Sequence, residues 1–415
     1  MRSVEEQQAR IAAAAVAPRP VRVAIAEAQG LMCAEEVVTE RPLPGFDQAA
    51  IDGYAVRSVD VMGAGEGGEG GREVTLPVMA TIEAGARTPT RLQPKQAVRV
   101  QTGAPMPTLA DAVLPLRWTD GGENRIRVLR GVRSGAYVRR AGDDVQPGDV
   151  AVRAGTIIGP AQVGLLAAVG RERVLVHPRP RLSVISVGAE LVDISRTPGN
   201  GQVYDVNSYA LAAAGRDAGA EVTRVGIVDT DPKTFRDVVE GQVNRSEVVV
   251  IAGAVGGSAA ETVRSVLSEL GELEVTRVAM HPGSVQGFGQ LGRDGVPVFL
   301  LPANPVSALV VFEVMVRPLI RLSLGRRHPM RRIVRARTLS PIASMPGRTG
   351  YLRGQLLRDH DTGEYLVQVL GGGPGDSSHL LATLAEANCL VIVPPEVEQV
   401  RTGEAVDVAF LAQRG

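Results

Sequence analysis

Residues Val248–Arg264 read VVVIAGAVGGSAAETVR. An unbroken apolar run ends in a glycine-rich turn, and the turn opens onto a segment with helical spacing. A strand that is apolar on both faces belongs inside a parallel sheet covered by helices on each side. The same alternation extends outward over residues 179–324. RLSVISV, VTRVGIV, TRVAM and VPVFLLP read as strands, while VNSYALAAAGRDAGA, TFRDVVEGQV, ETVRSVLSELG and PVSALVVFEVMVRPLIRLSLG read as helices. This predicts a three-layer α/β/α domain. On its own the glycine turn reads first as tight packing, since many strand-to-helix turns are glycine-rich. Its second reading is an anion cradle, with backbone N–H groups turned inward ahead of a helix N-terminus.

The flanks have a different texture. Residues 2–35 carry helical periodicity (Ile11, Val16, Val21, Val23, Ile25, Leu31) broken at Pro18 and Pro20, with Ser3 and Glu5–Glu6 as a helix start. From about Pro42 to Asp144, short runs such as REVTLPVMATI, AVRVQTG, DAVLPL and NRIRVLR alternate with Gly and Pro, and GTIIGPAQVGLLAAVG then gives an extended piece and a helix. After His328 the runs RRIVRARTL, YLRGQLLR, EYLVQVL, CLVIVP and AVDVAF predict a small all-β domain. The 415 residues thus form an α/β multidomain protein.

Charge narrows the classes of partner. Lys plus Arg (45) balance Asp plus Glu (45), so nothing steers the chain to nucleic acid or to an anionic membrane surface. No apolar run reaches the ~20 residues that span a bilayer. The first twenty residues are interrupted by glutamates and arginine before any signal-like apolar core, so the expected location is the cytoplasm. Cys33 and Cys389 read as buried structural thiols.

In an open parallel sheet, ligands bind beyond the carboxyl ends of the strands. Four loops fall there: Gly188–Glu190, Gly201–Asn207, Gly253–Glu261 and Ala303–Ser307. Asn304 before Pro305 reads as a helix cap. The loop carboxylates are Asp47, Asp52, Asp143, Asp144, Glu190, Asp205 and Glu261. One or two of them on converging loops would suffice for Mg²⁺ beside substrate phosphates, although a loop Asp more often closes an Asx turn. His281 has no partner at metal-ligand spacing.

FDQAAIDGYAV (46–56) and QTGAPMP (101–107), followed by AGDDVQPGDV, SVGAEL, GQVYDVNS, the glycine loop, HPGSVQGFG, LPANPVS and SSHLLATLAEANCLVIVP, occur in one order along the chain. In these motifs the sequence resembles the molybdopterin molybdenumtransferases, the MoeA and gephyrin E-domain family. The resemblance implies a homodimer with four subdomains. They are a split helical and extended segment (1–44 and 145–178), a β-rich lid (45–144), a molybdopterin-binding-like α/β domain (179–326) and a C-terminal β-barrel (327–415). It implies Mg²⁺ as cofactor, and adenylylated molybdopterin and molybdate as substrates, with AMP released. Carried over position by position, Asp52, Thr102, Glu190 and Glu261 take catalytic places, and Asp52, Asp144 and Glu190 are the implied metal ligands. Gly253, Gly256, Gly257, Ser258, His281, Ser284, Pro302, Asn304, Pro305 and Ser378 line the ligand.

The sequence also departs from the family. Its usual Lys-Pro-Gly-Lys-Pro is His281-Pro282-Gly283-Ser284-Val285, so both lysines are gone. Ala189 replaces an Asp, and Glu261 stands where an Asp is usual. Two lysines offset several negative charges of a pyrophosphate ligand, and their loss thins the site. A second reading follows: a gephyrin-like dimeric scaffold whose reaction is lost and which grips a peptide tail of a division or membrane-associated protein such as FtsZ.

Overall fold

The computed structural model describes residues 1–16, 18–65, 72–88, 90–256, 259–371 and 381–411. They form two compact units, one of residues 22–176 and one of residues 1–21 with 177–415. The chain enters the first unit along Val21–Ala24 and leaves it along Arg173–His177, and these two strands are hydrogen-bonded neighbours in one small sheet with Met32–Cys33. The helical periodicity expected over 2–35 therefore holds as an α-helix only for α1 (Val4–Ala13); Val21–Ala24 is a strand, and Ile25–Glu27 makes a single 3-10 turn. Pro18 and Pro20 push their neighbours out of the helical region, and Val21 and Val23 favour a strand.

In the first unit, Cys33, Val37, Val152, Ile158, Leu166 and Val174 close a core under the helix α2 (Pro160–Ala168). A five-stranded sheet follows, built from β1 (Gly53–Val56), β2 (Val74–Ile82), β3 (Ala97–Val100), β4 (Ala112–Pro115) and β5 (Arg125–Val128) in the order β4-β1-β3-β2-β5. One of its faces packs Tyr54, Leu76, Leu114 and Ile126, the other Ala55, Val98 and Val113.

The second unit holds the α/β domain. Its strands are β6 (Arg181–Ser186), β7 (Glu221–Ile227), β8 (Val248–Ala252), β9 (Gly271–Arg277), β10 (Val285–Leu291) and β11 (Val296–Leu301), ordered β7-β6-β8-β11-β10-β9. The first four in that order run parallel; β10 and β9 are antiparallel additions. The sheet is thus mixed where a parallel one was expected, because VQGFGQL is a strand that its two glycines disguise. At Gly289 a Cβ would lie 2.1 Å from the Glu272 carbonyl oxygen, so β9 can pair there only against glycine.

Helices α3 (Asn207–Ala218), α4 (Pro232–Val243), α5 (Ala259–Leu270), α6 (Pro305–Val311) and α7 (Arg317–Ser323) cover the two faces. Leu182, Val250 and Phe299 meet Leu211, Val310 and Leu319 on one side, where Val4 and Ile11 of α1 join the same core. Ile185, Ile251 and Leu300 meet Phe235, Val239 and Val263 on the other. Helix α1 starts on the expected cap: Ser3 Oγ accepts from the Glu6 N–H at 3.0 Å, and the Glu6 carboxylate accepts from the Ser3 N–H. Between α6 and α7 the helix widens into a π turn at Phe312–Val316, just before Pro318. Pro318 has no N–H for the Val314 carbonyl four residues back; the Gln8 amide of α1 donates to that carbonyl at 3.0 Å.

The last domain is a closed barrel of β12 (Ile333–Thr338), β13 (Thr349–Arg358), β14 (Tyr365–Val369), β15 (Cys389–Val393) and β16 (Ala405–Phe410). The ladder runs β13-β14-β12-β16-β15, and β15 pairs back onto β13 to shut the cylinder. Cys389 is fully buried in its core, and burial pushes its thiol up to about 12. Both cysteines are buried and free, as the sequence suggested.

Candidate active site

In the first unit the site residues come together through strand register. Gly53 pairs with Val100 across β1 and β3, which sets Asp52 beside Thr102. Asp52 Oδ1 accepts from the Thr102 N–H at 2.7 Å and from its hydroxyl at 2.8 Å. These two bonds, helped by the charge of Arg99, hold the exposed carboxyl below its ordinary value, so Asp52 is ionised throughout the physiological range. The neighbouring acids are spent locally. Asp47 accepts from the Ala141 N–H at 2.9 Å, and Asp143 from the Arg140 N–H at 2.7 Å. Asp144 is exposed, and its carboxylate makes no hydrogen bond or ion pair among the described residues.

In the second unit the loops at the carboxyl ends of β6, β8 and β11 are joined by their backbones. The Val187 N–H donates to Ala252 at 2.9 Å, and the Gly253 and Ala254 N–H groups reach the Leu301 carbonyl at 3.0 and 3.3 Å. The expectation that the glycine loop turns its amides into a cradle thus fails for Gly253 and Ala254, whose N–H groups close the strand ends instead. The Val255 and Gly256 amides have no partner among the described residues. Gly253 sits at φ +88°, and a Cβ there would lie 2.2 Å from the Val187 carbonyl oxygen. Gly257, Ser258 and Ser378 lie outside the described residues.

Around this floor the other loops are zipped. Leu191–Val192 pairs in parallel with Val203–Tyr204, fixing the Glu190 turn against GQVYDVN. The Glu190 carboxylate folds over Gly188 and makes no hydrogen bond among the described residues. Asp205 is buried, not a free ligand: it accepts from Ser186, from the Ser208 N–H and from the Ser208 hydroxyl, tying the end of β6 to the start of α3. Asn304 caps α6 as expected, accepting from the Ser307 N–H at 3.0 Å, with Pro305 in the first turn and Pro302 just ahead. Asn207, not among the residues the sequence singled out, donates to the Ala303 carbonyl at 2.8 Å, while its Oδ1 is buried without a partner among the described residues. Its Asp-Val-Asn context was the available signal.

His281 pairs alongside β13, with Met280 opposite Thr349. Burial, then the nearby Arg348 charge, push its imidazole below the usual value, so it is neutral at pH 7. Ser284 spends its hydroxyl on the Val278 carbonyl at 2.9 Å. Arg348, which the sequence did not single out, is the charge that reaches His281. Glu261 lies in the first turn of α5, in a shallow groove with Arg264, Ser265, Ser268, Leu273 and Val275. Among the described residues no three His, Cys, Asp or Glu side chains cluster to hold a metal.

A three-layer α/β domain with ligand loops at its strand ends, joined to a closed five-stranded barrel and a β-rich module that carries a threonine-locked aspartate, defines a multidomain ligand-binding protein. The chain belongs to the MoeA family: family models match for the MoeA N-terminal region (residues 2–170), a probable molybdopterin binding domain (183–322) and the MoeA C-terminal region (335–411). It is 83% identical over the full length of both chains to the Mycobacterium tuberculosis (strain H37Rv) protein named molybdopterin molybdenumtransferase 1. It is 38% identical to molybdopterin molybdenumtransferase 2 of the same strain, across 98% of this chain and 99% of that one. The crystal structure of the molybdopterin biosynthesis MoeA protein from Pyrococcus horikosii superposes with a TM-score of 0.83 at 30% identity, covering 98% of each chain.

Proposed function

We propose that this chain is a molybdopterin molybdenumtransferase of molybdenum cofactor biosynthesis. It takes adenylylated molybdopterin and molybdate, releases AMP and leaves molybdenum on the dithiolene. The observation that carries the reading is full-length identity of 83% to a relative named for that transfer. No observation favours the peptide-gripping scaffold over it. The active assembly is proposed to be a homodimer acting in the cytoplasm.

Within this reading the Thr102 bonds keep Asp52 charged and aimed, and Asp144 and Glu190 present carboxylates with no competing partner among the described residues. Asp52 and Asp144, both in the unit of residues 22–176, are hard oxygen donors of the kind Mg²⁺ takes, one or two beside substrate phosphates. Mg²⁺, when bound, offsets phosphate charge. The Val255 and Gly256 amides and Arg348 provide the chain's own donors for the anionic substrate, replacing part of the missing lysine charge.

The test is AMP release from adenylylated molybdopterin by the purified protein with Mg²⁺ and molybdate. Native turnover is expected, with Asp52→Asn at least ~10-fold slower. Absence of turnover in the native protein overturns the reading.

A further inference from the structure

Four arginines gather where the α/β domain passes into the barrel. Arg317 and Arg321 lie one turn apart on α7. Arg326 follows in the connecting turn, where its N–H donates to the Arg321 carbonyl at 3.0 Å, and Arg331 leads into β12. The available counter-charges are Asp217, near the end of α3, and Glu313. Arg331 takes both, donating Nε and Nη2 to Glu313 at 2.9 and 3.0 Å and Nη2 to Asp217 at 2.7 Å. Arg317 is left with a 3.7 Å approach to Glu313 and a bond to the Pro329 carbonyl. Among the described residues, the Arg321 and Arg326 guanidinium groups make no hydrogen bond and no ion pair.

These groups are also partly sealed. The Nε atoms of Arg317, Arg321 and Arg326 are all buried without a hydrogen-bond partner, and Arg317 is only 8% exposed. Orphaned buried donors are costly to fold, and unpaired buried charge more so. Helix capping does not account for the cluster. The Ile320, Arg321 and Leu322 carbonyls at the end of α7 already accept from the Leu324, Arg326 and Gly325 N–H groups.

We infer that Arg317, Arg321, Arg326 and Arg331 form a binding site for a tetrahedral oxyanion of the sulfate or phosphate class. Two positive charges in excess of the two carboxylates match a dianion, and guanidinium forks bind such oxygens in parallel pairs. The site is separate from the transfer site and does not rest on that reading. Asn304 and α7 mark opposite ends of one helical run over residues 305–323, roughly 28 Å apart at the helical rise. The bound anion would pin the end of α7 to the lead-in of the barrel.

The experiment compares thermal unfolding in sodium sulfate and in sodium chloride of equal ionic strength. Sulfate stabilises proteins generally, so the readout is the sulfate increment of the native chain against that of R321Q/R326Q. R327Q, at an exposed neighbouring arginine, serves as control. The native chain and R327Q are expected to gain several degrees more than R321Q/R326Q, and calorimetry to show sulfate bound at least tenfold more weakly by the double variant. In chloride the double variant should be no less stable than the native chain, with an unchanged circular dichroism spectrum. Equal sulfate increments overturn the site. So does a fall in oligomeric mass of the double variant without any sulfate increment in the native chain, which would assign the arginines to carboxylates of a second copy.

Discussion

Asp52 owes most of the lowering of its pKa to one neighbour, Thr102. Thr102→Val removes the hydroxyl bond and leaves the backbone one, so the Asp52 pKa should rise toward the ordinary 3.8 in an NMR titration of side-chain carboxyls. The folded pKa is lowered, so its contribution to stability is complete above the unfolded value and is lost as pH falls through the folded one. Asp52 therefore predicts no titration of activity between pH 5 and 8, and an acid limb in that window that moved with T102V would contradict the assignment. Both residues were legible in the sequence because each sits in a short motif. Arg348 was not, since its effect on His281 arises only from the pairing of Met280–His281 with β13, a contact 67 positions away in the chain.

Elements were legible where their periodicity was clean. The helices after β6, β7 and β8 and all five barrel strands fell where apolar spacing put them. Strand β10 was hidden because Gly287 and Gly289, which weaken a strand signal, are there to admit Leu300 and the backbone of β9. The π turn before Pro318 was equally silent, since the residue that answers it, Gln8, lies in another helix. Gln8→Leu should lower stability by about 1 kcal/mol, seen as a lower urea midpoint at unchanged slope. Pro318→Ala in the same background restores an N–H to the Val314 carbonyl and should recover most of the loss. If Q8L proves neutral, that carbonyl does not need its partner.

At the scale of the molecule, the sequence announced a run of small β elements after His328 but not a cylinder. Closure depends on β15 pairing with both β16 and β13, and such register is set by turns and side-chain size in three dimensions. Family resemblance supplied what periodicity could not. The two units meet the chain differently: residues 22–176 are contiguous, while the other unit is assembled from both sides of them. Because Val21–Ala24 and Arg173–His177 run side by side, the gap left by removing that stretch is short enough to close with a few glycines. A chain with residues 23–174 replaced by a short Gly-Ser link should remain folded, with the near-native far-ultraviolet signal and cooperative melting expected of an α/β domain and barrel alone. Loss of cooperativity would show that the stretch is needed for folding. If the shortened chain stays folded, residues 22–176 are a cassette, a piece of gene that recombination could add or withdraw at one locus without rewriting the rest.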